Sequence, residues 1–330
     1  MKRRDVLKFL AAPALVGLSS KSGAQGRQKV TYAYLLDPAY DAVTWAMTNG
    51  KIASDLITVE ARGLAIPQLI QATSAKQYDV IQTAVVGIPL AVQRGLDLRV
   101  MGVAQQASAG GEGAGVYVKS DSPLKAPADL KGKTLGSFGL RSTGHTLIRI
   151  AFTNKYKLNV PLEGGDIRQV EIQAPNLPAA LSTGQIDAAA LINSQAYRGM
   201  KTGEFRAIAE TAKDNTDMFG MRFISAVNVG YQEGIVRRPA AYREFNRVFR
   251  ESAAYAAKNR KEVFSAVAAK LNLEPAFFDW WFDKAWDVPG TFTEDHAKAV
   301  MRFYELSRNI GVLKEFQDIR TLVSDQALRA

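Results

Sequence analysis

Six consecutive residues, Gly139-Leu140-Arg141-Ser142-Thr143-Gly144, hold the combination of groups in this chain best suited to a small anion. A hydroxyl at Ser142 or Thr143 can cap the helix predicted over 145–156. Gly139 and Gly144 let the backbone come near a ligand. The free amides and positive end of such a helix favour negative charge, by about 0.3–1 kcal/mol when exposed and up to about 2 kcal/mol when partly buried. Arg141 could add a bidentate contact to a carboxylate or sulfonate. The same residues also fit a plainer role, in which the hydroxyl only caps the helix and Arg141 is solvated. Asn193 and Gln195, at a predicted strand end, either donate to a ligand from an opposing loop or cap that loop. His145 falls in the first helical turn, where a bystander role is the commoner one.

Strands alternating with helices must position these groups. Residues 30–36, 57–61, 78–83 and 98–104 read as strands, separated by helices over 39–50, 66–75 and up to Gly95. In the second of these helices Ile66, Leu69, Ile70 and Thr73 share one face. This alternation implies a parallel sheet with helices on both faces. A Gly-rich loop over 105–115 interrupts it. The pattern restarts with strands at 115–119, 134–136, 170–173, 188–192 and 207–210, and an apolar strand at 223–229 can carry the chain back. From Ala240 the chain reads as helical, with Tyr242, Phe245, Phe249, Ala253 and Ala256 as an apolar stripe. Arg243, Arg247 and Arg250 on its other side read as a solvated face. The expected architecture is α/β and two-lobed, each lobe a sheet flanked by helices, with a helical C-terminal tail. Residues 28–113 and 227–330 are assigned to a discontinuous first lobe and 114–226 to the second, so that two crossovers act as a hinge.

In open α/β sheets ligands sit beyond the carboxyl ends of the strands. Two first-lobe loops occupy such ends, 37–40 and 83–86. They add Pro38, Tyr40, Thr83 and Ala84 to Arg141, Ser142, Thr143, Gly144, Asn193 and Gln195 as candidate ligand-binding residues. Tyr34 and Tyr40 could stack on a ligand, although Tyr34 fits the core equally well. The aromatic run from Phe277 to Phe282, with Trp286, reads chiefly as packing for the C-terminal helices.

The chain contains no cysteine and two histidines, His145 and His296, far apart in sequence. Thiolate nucleophiles, disulfides and zinc–thiolate sites are therefore excluded, and no metal or cofactor is expected. The formal net charge is +10. Lys2, Arg3, Arg4, Lys8 and Lys21 against Asp5 put +4 in residues 1–24 and leave +6 for the rest. That charge is dispersed, without the clustered basic face that nucleic acid requires. Residues 1–24 read as an export signal: Arg3-Arg4, a short apolar run over 9–18, and small residues before Ala24. The Arg-Arg-x-Val-Leu-Lys order resembles a twin-arginine address, with Val6 in place of the commoner Phe, and the periplasm is the expected destination.

Three segments carry a resemblance. Ala128-Asp129-Leu130-Lys131-Gly132-Lys133-Thr134-Leu135-Gly136 resembles the start of the second lobe in type II periplasmic binding proteins. Ser142-Thr143-Gly144-His145-Thr146-Leu147 resembles a helix opening of the nitrate/sulfonate/taurine-binding (NMT1/THI5-like) family. Ala180-Leu181-Ser182-Thr183-Gly184-Gln185-Ile186-Asp187-Ala188-Ala189 is similar to that family's third second-lobe strand region. The resemblance covers essentially all of the chain after residue 24, and it strengthens the assignment of the Ser142 and Thr143 hydroxyls. It implies a monomeric receptor that passes a small, usually anionic solute to an ABC permease and its ATPase. Relatives with enzymatic activity use a cysteine that this chain lacks. An exported sensor is the alternative. Leu191-Ile192-Asn193-Ser194-Gln195 departs from the family, many members of which carry an aromatic or acidic residue there. The exported protein is expected to begin near Gln25. N-terminal sequencing tests this, and retention of Met1 contradicts the export reading.

Overall fold

A computed structural model describes residues 26–328; the predicted export signal lies outside the described residues. Eight residues with strong β-formers, Gln28–Leu35, make strand β1, which runs parallel to β2 (Ile57–Leu64) from Gln28↔Ile57 to Leu35↔Leu64. Strands β3 (Val80–Ala84) and β4 (Leu98–Ala107) follow, with helices α1 (Pro38–Thr48), α2 (Ile66–Ser74) and α3 (Gly87–Gln93) between consecutive strands. The second lobe contains β5 (Val116–Lys119), β6 (Thr134–Ser137), β7 (Arg168–Glu171), β8 (Ala188–Ala190) and β9 (Phe205–Ala209). Its helices are α4 (Thr143–Asn154), α5 (Leu177–Ser182), α6 (Asn193–Lys201) and α7 (Thr211–Phe219). The chain then returns to the first sheet as β10 (Ile224–Tyr231). It ends in α8 (Gln232–Arg237), α9 (Pro239–Lys258), α10 (Arg260–Leu271), α11 (Pro275–Trp280), the short β11 (Trp286–Asp287) and α12 (Glu294–Asn309).

The first sheet has the order β11-β4-β10-β3-β1-β2 and the second β7-β6-β8-β5-β9. Neither is wholly parallel, contrary to the expectation from strand–helix alternation. β10 lies antiparallel between β3 and β4, and β5 lies antiparallel to both β8 and β9. β10 and β5 are the first strands after the chain changes lobe, where a strand arrives from the opposite end of the sheet; the short β11 is also antiparallel to β4. The predicted loop at 105–115 is also shorter than expected. Gln105, Gln106 and Ala107 continue β4, held by β10 on one side and β11 on the other. On α2, Leu69 and Thr73 are buried while Ile70 is 58 % exposed, so the inward stripe is narrower than the sequence suggested.

Asp37 caps α1 and Pro38 occupies its first turn, where a missing N–H costs nothing. Buried residues on α1 pack against α9, whose stripe of Tyr242, Phe245, Phe249, Ala253 and Ala256 is buried throughout. Arg247, on the opposite side, pairs with Glu244 and Glu251. Phe277, Phe278 and Trp281 are buried in the same core, the packing role expected of that aromatic run.

The first crossover, after β4, is tied to the C-terminal region. Ser108 N donates to Ala285 O at 3.2 Å and Glu112 N to Lys284 O at 3.0 Å. Gly113 lies so close to this segment that a Cβ there would meet the Trp286 ring and stand 2.6 Å from Ala285 O. Helix α4 packs on α12 and β10, with Leu147 and Ile150 in one apolar cluster with Phe223 and Phe303. On the same helix His145 is fully buried, with Nε2 2.6 Å from Gln169 Oε1. Burial, opposed by that hydrogen bond, lowers its pKa from 6.5 to about 4.

Two outcomes are expected. Gly113→Ala should lower stability by about 1–3 kcal/mol through overpacking against the Trp286 segment, read by thermal unfolding. His145 stays neutral in the fold above about pH 4, whereas the unfolded chain takes up its proton below about 6.5. Stability should therefore fall as the pH drops from about 6.5 to about 4, by up to about 3 kcal/mol from this group. His145→Gln should flatten the fall, and an unchanged pH profile contradicts the assignment.

Candidate functional site

The carboxyl ends of the parallel strands β1 and β3 in one sheet and β6 and β8 in the other meet at a common seam, and the site is built where the helix starts that follow them come together. At the end of β1, Asp37 turns its carboxylate into the seam. Its Oδ1 accepts from Ala39 N at 2.9 Å, so the start of α1 is capped by the protein's own negative charge. Asp37 is 2 % exposed. Burial pushes its carboxyl above the usual range, while hydrogen bonds from Asn193 and Ala39 pull it back.

Two hydrogen-bonded crossings join the lobes here. Asn193, the first residue of α6, donates from Nδ2 to Asp37 Oδ2 at 2.9 Å. Its Oδ1 accepts from Trp286 Nε1, also at 2.9 Å. At the second crossing Val86 N, in the turn between β3 and α3, donates to Thr143 Oγ1 at 3.3 Å. Thr143 is buried as the first residue of α4, and Ser142 caps that helix by accepting from His145 N at 3.2 Å. The amides of Thr143 and Gly144 have no partner among the described residues. Leu140 N is occupied by Glu171 Oε2 at 3.0 Å.

The sequence-predicted residues distribute unevenly around this seam. Ser142, Thr143 and Gly144 lie on its second-lobe side, facing the 84–86 turn. Pro38 is half-buried beside Asp37, and Ala84 is exposed at the end of β3. Thr83 is buried, its hydroxyl without a partner among the described residues. Arg141 is exposed and makes no ion pair among the described residues. With Ala84 and the 59 %-exposed Leu36 it marks the rim. Tyr40 is fully buried behind the seam; its hydroxyl donates to Ala104 O at 3.3 Å and its ring meets Trp281 edge-on. That leaves no face on which a solute could stack. Tyr34 is also buried, donating to Asp41 Oδ1 at 2.7 Å. Asn193 is committed at both ends of its amide. Gln195 donates back to Ala174 O within the second lobe, with its Oε1 buried and unpartnered.

Asp37, Val86 and Trp286 were not among the candidates. Asp37 stands before Pro38, a pair that reads as a helix start and conceals the carboxylate's second role. Val86 contributes only its backbone, which no side-chain pattern reveals. Trp286 belongs to a run whose other members pack the core. Two open hollows of about 620 and 530 Å³ lie away from the seam, one around Lys258 and Arg260, the other around Glu60 and Arg62. Among the described residues no cluster of metal-ligating side chains occurs, and no helix is long and apolar enough to cross a membrane.

The fold is similar to those of several solved binding proteins. The periplasmic aliphatic sulphonate binding protein SsuA of Escherichia coli superposes with a TM-score of 0.71 at 17 % identity, over 92 % of this chain and 94 % of that one. The alkanesulfonate-binding protein SsuA of Xanthomonas axonopodis pv. citri, bound to MOPS, gives 0.71 at 16 % identity, over 92 % and 99 %. A ligand-binding component of an ABC-type import system from Staphylococcus aureus, with zinc bound, gives 0.71 at 13 % identity, over 90 % and 97 %. At these identities the likeness is one of fold. No curated protein matches the sequence. The NMT1/THI5-like profile matches residues 67–263, well over half of the chain. The chain belongs to the NMT1/THI5-like family.

Proposed function

We propose that this protein is the periplasmic solute-binding component of an ABC importer, closing its lobes over a small anionic solute. The observation that carries the reading is the meeting of helix starts across the seam, with Val86 N and Thr143 Oγ1 3.3 Å apart. That bond joins turns at the ends of the two sheets, 57 residues apart in sequence, and a solute at the same seam would strengthen their approach. The family and the shared fold support the same reading, since the similar structures named above include periplasmic binding proteins and an import-system component.

Charge around the seam favours an anion on the second-lobe side. The start of α1 is neutralised by Asp37, whereas α4 offers the amides of Thr143 and Gly144. Arg141 stands beside them with its guanidinium unpaired among the described residues. A carboxylate, sulfonate or nitrate fits those donors; a cation does not.

A thermal-shift screen of small anions and aromatic acids should find at least one stabilising solute, by about 2.7 kcal/mol at a hundredfold excess over Kd. Turnover of that solute would contradict the receptor reading. Arg141→Ala should weaken that solute by about 10- to 100-fold in calorimetry, the loss of one charge-assisted hydrogen bond. Its melting temperature without solute should not change, because Arg141 is exposed. Unaltered affinity would remove Arg141 from the site.

A further inference from the structure

We infer that Asp37, Asn193 and Trp286 form a latch that holds the lobes together through the polarity of their hydrogen bonds, with no solute required. The inference rests on the hinged two-lobe reading above but not on any solute.

The relay has a donor at each end. The indole Nε1–H of Trp286 can only donate, and meets Asn193 Oδ1 at 2.9 Å. The amide of Ala39 can only donate, and meets Asp37 Oδ1 at 2.9 Å. Between them, Asn193 accepts once and donates once, to Asp37 Oδ2 at 2.9 Å. Asp37 must then accept at both terminal atoms, Oδ1 and Oδ2, which an ionised carboxylate does and an amide, with one oxygen and one NH2, cannot. Asp37, Asn193 and Trp286 are 2 %, 6 % and 5 % exposed, so water cannot readily repair a mismatched link. Asn193 belongs to the second lobe and both of its partners to the first, so opening the seam separates it from Asp37 and Trp286 together. Neighbouring contacts lie on the same line. Tyr197 of α6 packs on Phe277 and Trp280 at 5.7 and 5.6 Å between ring centres. Asn193 is thus a positioning residue that acts through closure.

Two end donors require one carboxylate and one amide between them, but polarity does not dictate which lobe holds which. Asp37→Asn sets two amides between two donors, and one link becomes donor to donor whichever way the amides turn. Asn193→Asp sets two carboxylates face to face. The double exchange, Asp37→Asn with Asn193→Asp, restores every link. Asn at 37 accepts from Ala39 and donates across the seam, and Asp at 193 accepts from both sides. A contact serving only packing, or one serving only a solute, would not show this alternation.

The test uses the solute-free full chain at neutral pH. Small-angle scattering reads lobe separation, and NMR reads exchange of the Trp286 indole N–H. Each single variant should scatter as a larger particle and exchange that proton about tenfold faster; the double variant should return most of the way to wild type. Should the Asp37 variants fail to fold by circular dichroism, Trp286→Phe removes the end donor without touching the cap of α1, and the same opening is expected by scattering. A double variant as open as the worse single would overturn the latch. So would Asn193→Asp and Trp286→Phe variants that scatter like wild type. A wild type that no solute stabilises would refute the binding reading instead, and leaves the solute-free scattering comparison unaffected.

Discussion

Strand β10 enters the first sheet between β3 and β4, antiparallel to both, and this insertion sets the geometry of the molecule. It returns the chain to the first lobe after the second has been built, and creates the second of two crossovers. It also anchors the helices that follow, so that Trp286 arrives on the edge of the same sheet, paired with Ala107 at the first crossover. A tail that could have packed anywhere is therefore held at the junction. The close approach of Gly113 to Trp286 and the bonds from Ser108 and Glu112 to the 284–285 backbone are consequences of that placement.

Electrostatics along the seam follow from which helix start is already satisfied. A buried carboxylate is costly unless it is hydrogen-bonded. Asp37 meets that condition by taking one bond from its own helix and one from the opposite lobe. Closure thereby satisfies a group that opening would leave to water, and the two lobes share one charged residue. Helix α4 has no such internal anion, and its cap, Ser142, is a neutral hydroxyl. The asymmetry is the basis for proposing that a solute's negative charge faces the second lobe. The exposed ion pair between Lys201 and Glu274 also joins the lobes, but exposed pairs contribute little.

Much of this arrangement can be read in the sequence, for local reasons. The apolar period in α9, the Asp37-Pro38 start of α1 and the Ser142 cap of α4 are written in residues a few positions apart. Helices α6 and α7 escape that reading because their segments are polar, and several of the residues they turn inward, Asn193, Thr211, Asp214 and Asn215, are polar too. Strand sense escapes it because parallel and antiparallel pairing leave the same apolar runs. The relay is least legible of all: Asp37 meets Asn193 across 156 residues, and Asn193 meets Trp286 across 93. Each member has an adequate local explanation as a cap, a strand end or a packed aromatic, so no local signal calls for a second role. Tyr40 shows the converse, since a residue at the right end of the right strand turns inward to Ala104.

We propose that a solute is held at the seam between the lobes. A crystal structure with the solute that most raises the melting temperature tests it most directly. Electron density for that solute is expected between the 84–86 turn and the 142–144 helix start, with its negative group toward Thr143 and Gly144. Density at either outer hollow, or at the lobes' outer faces with the seam unchanged, would contradict it.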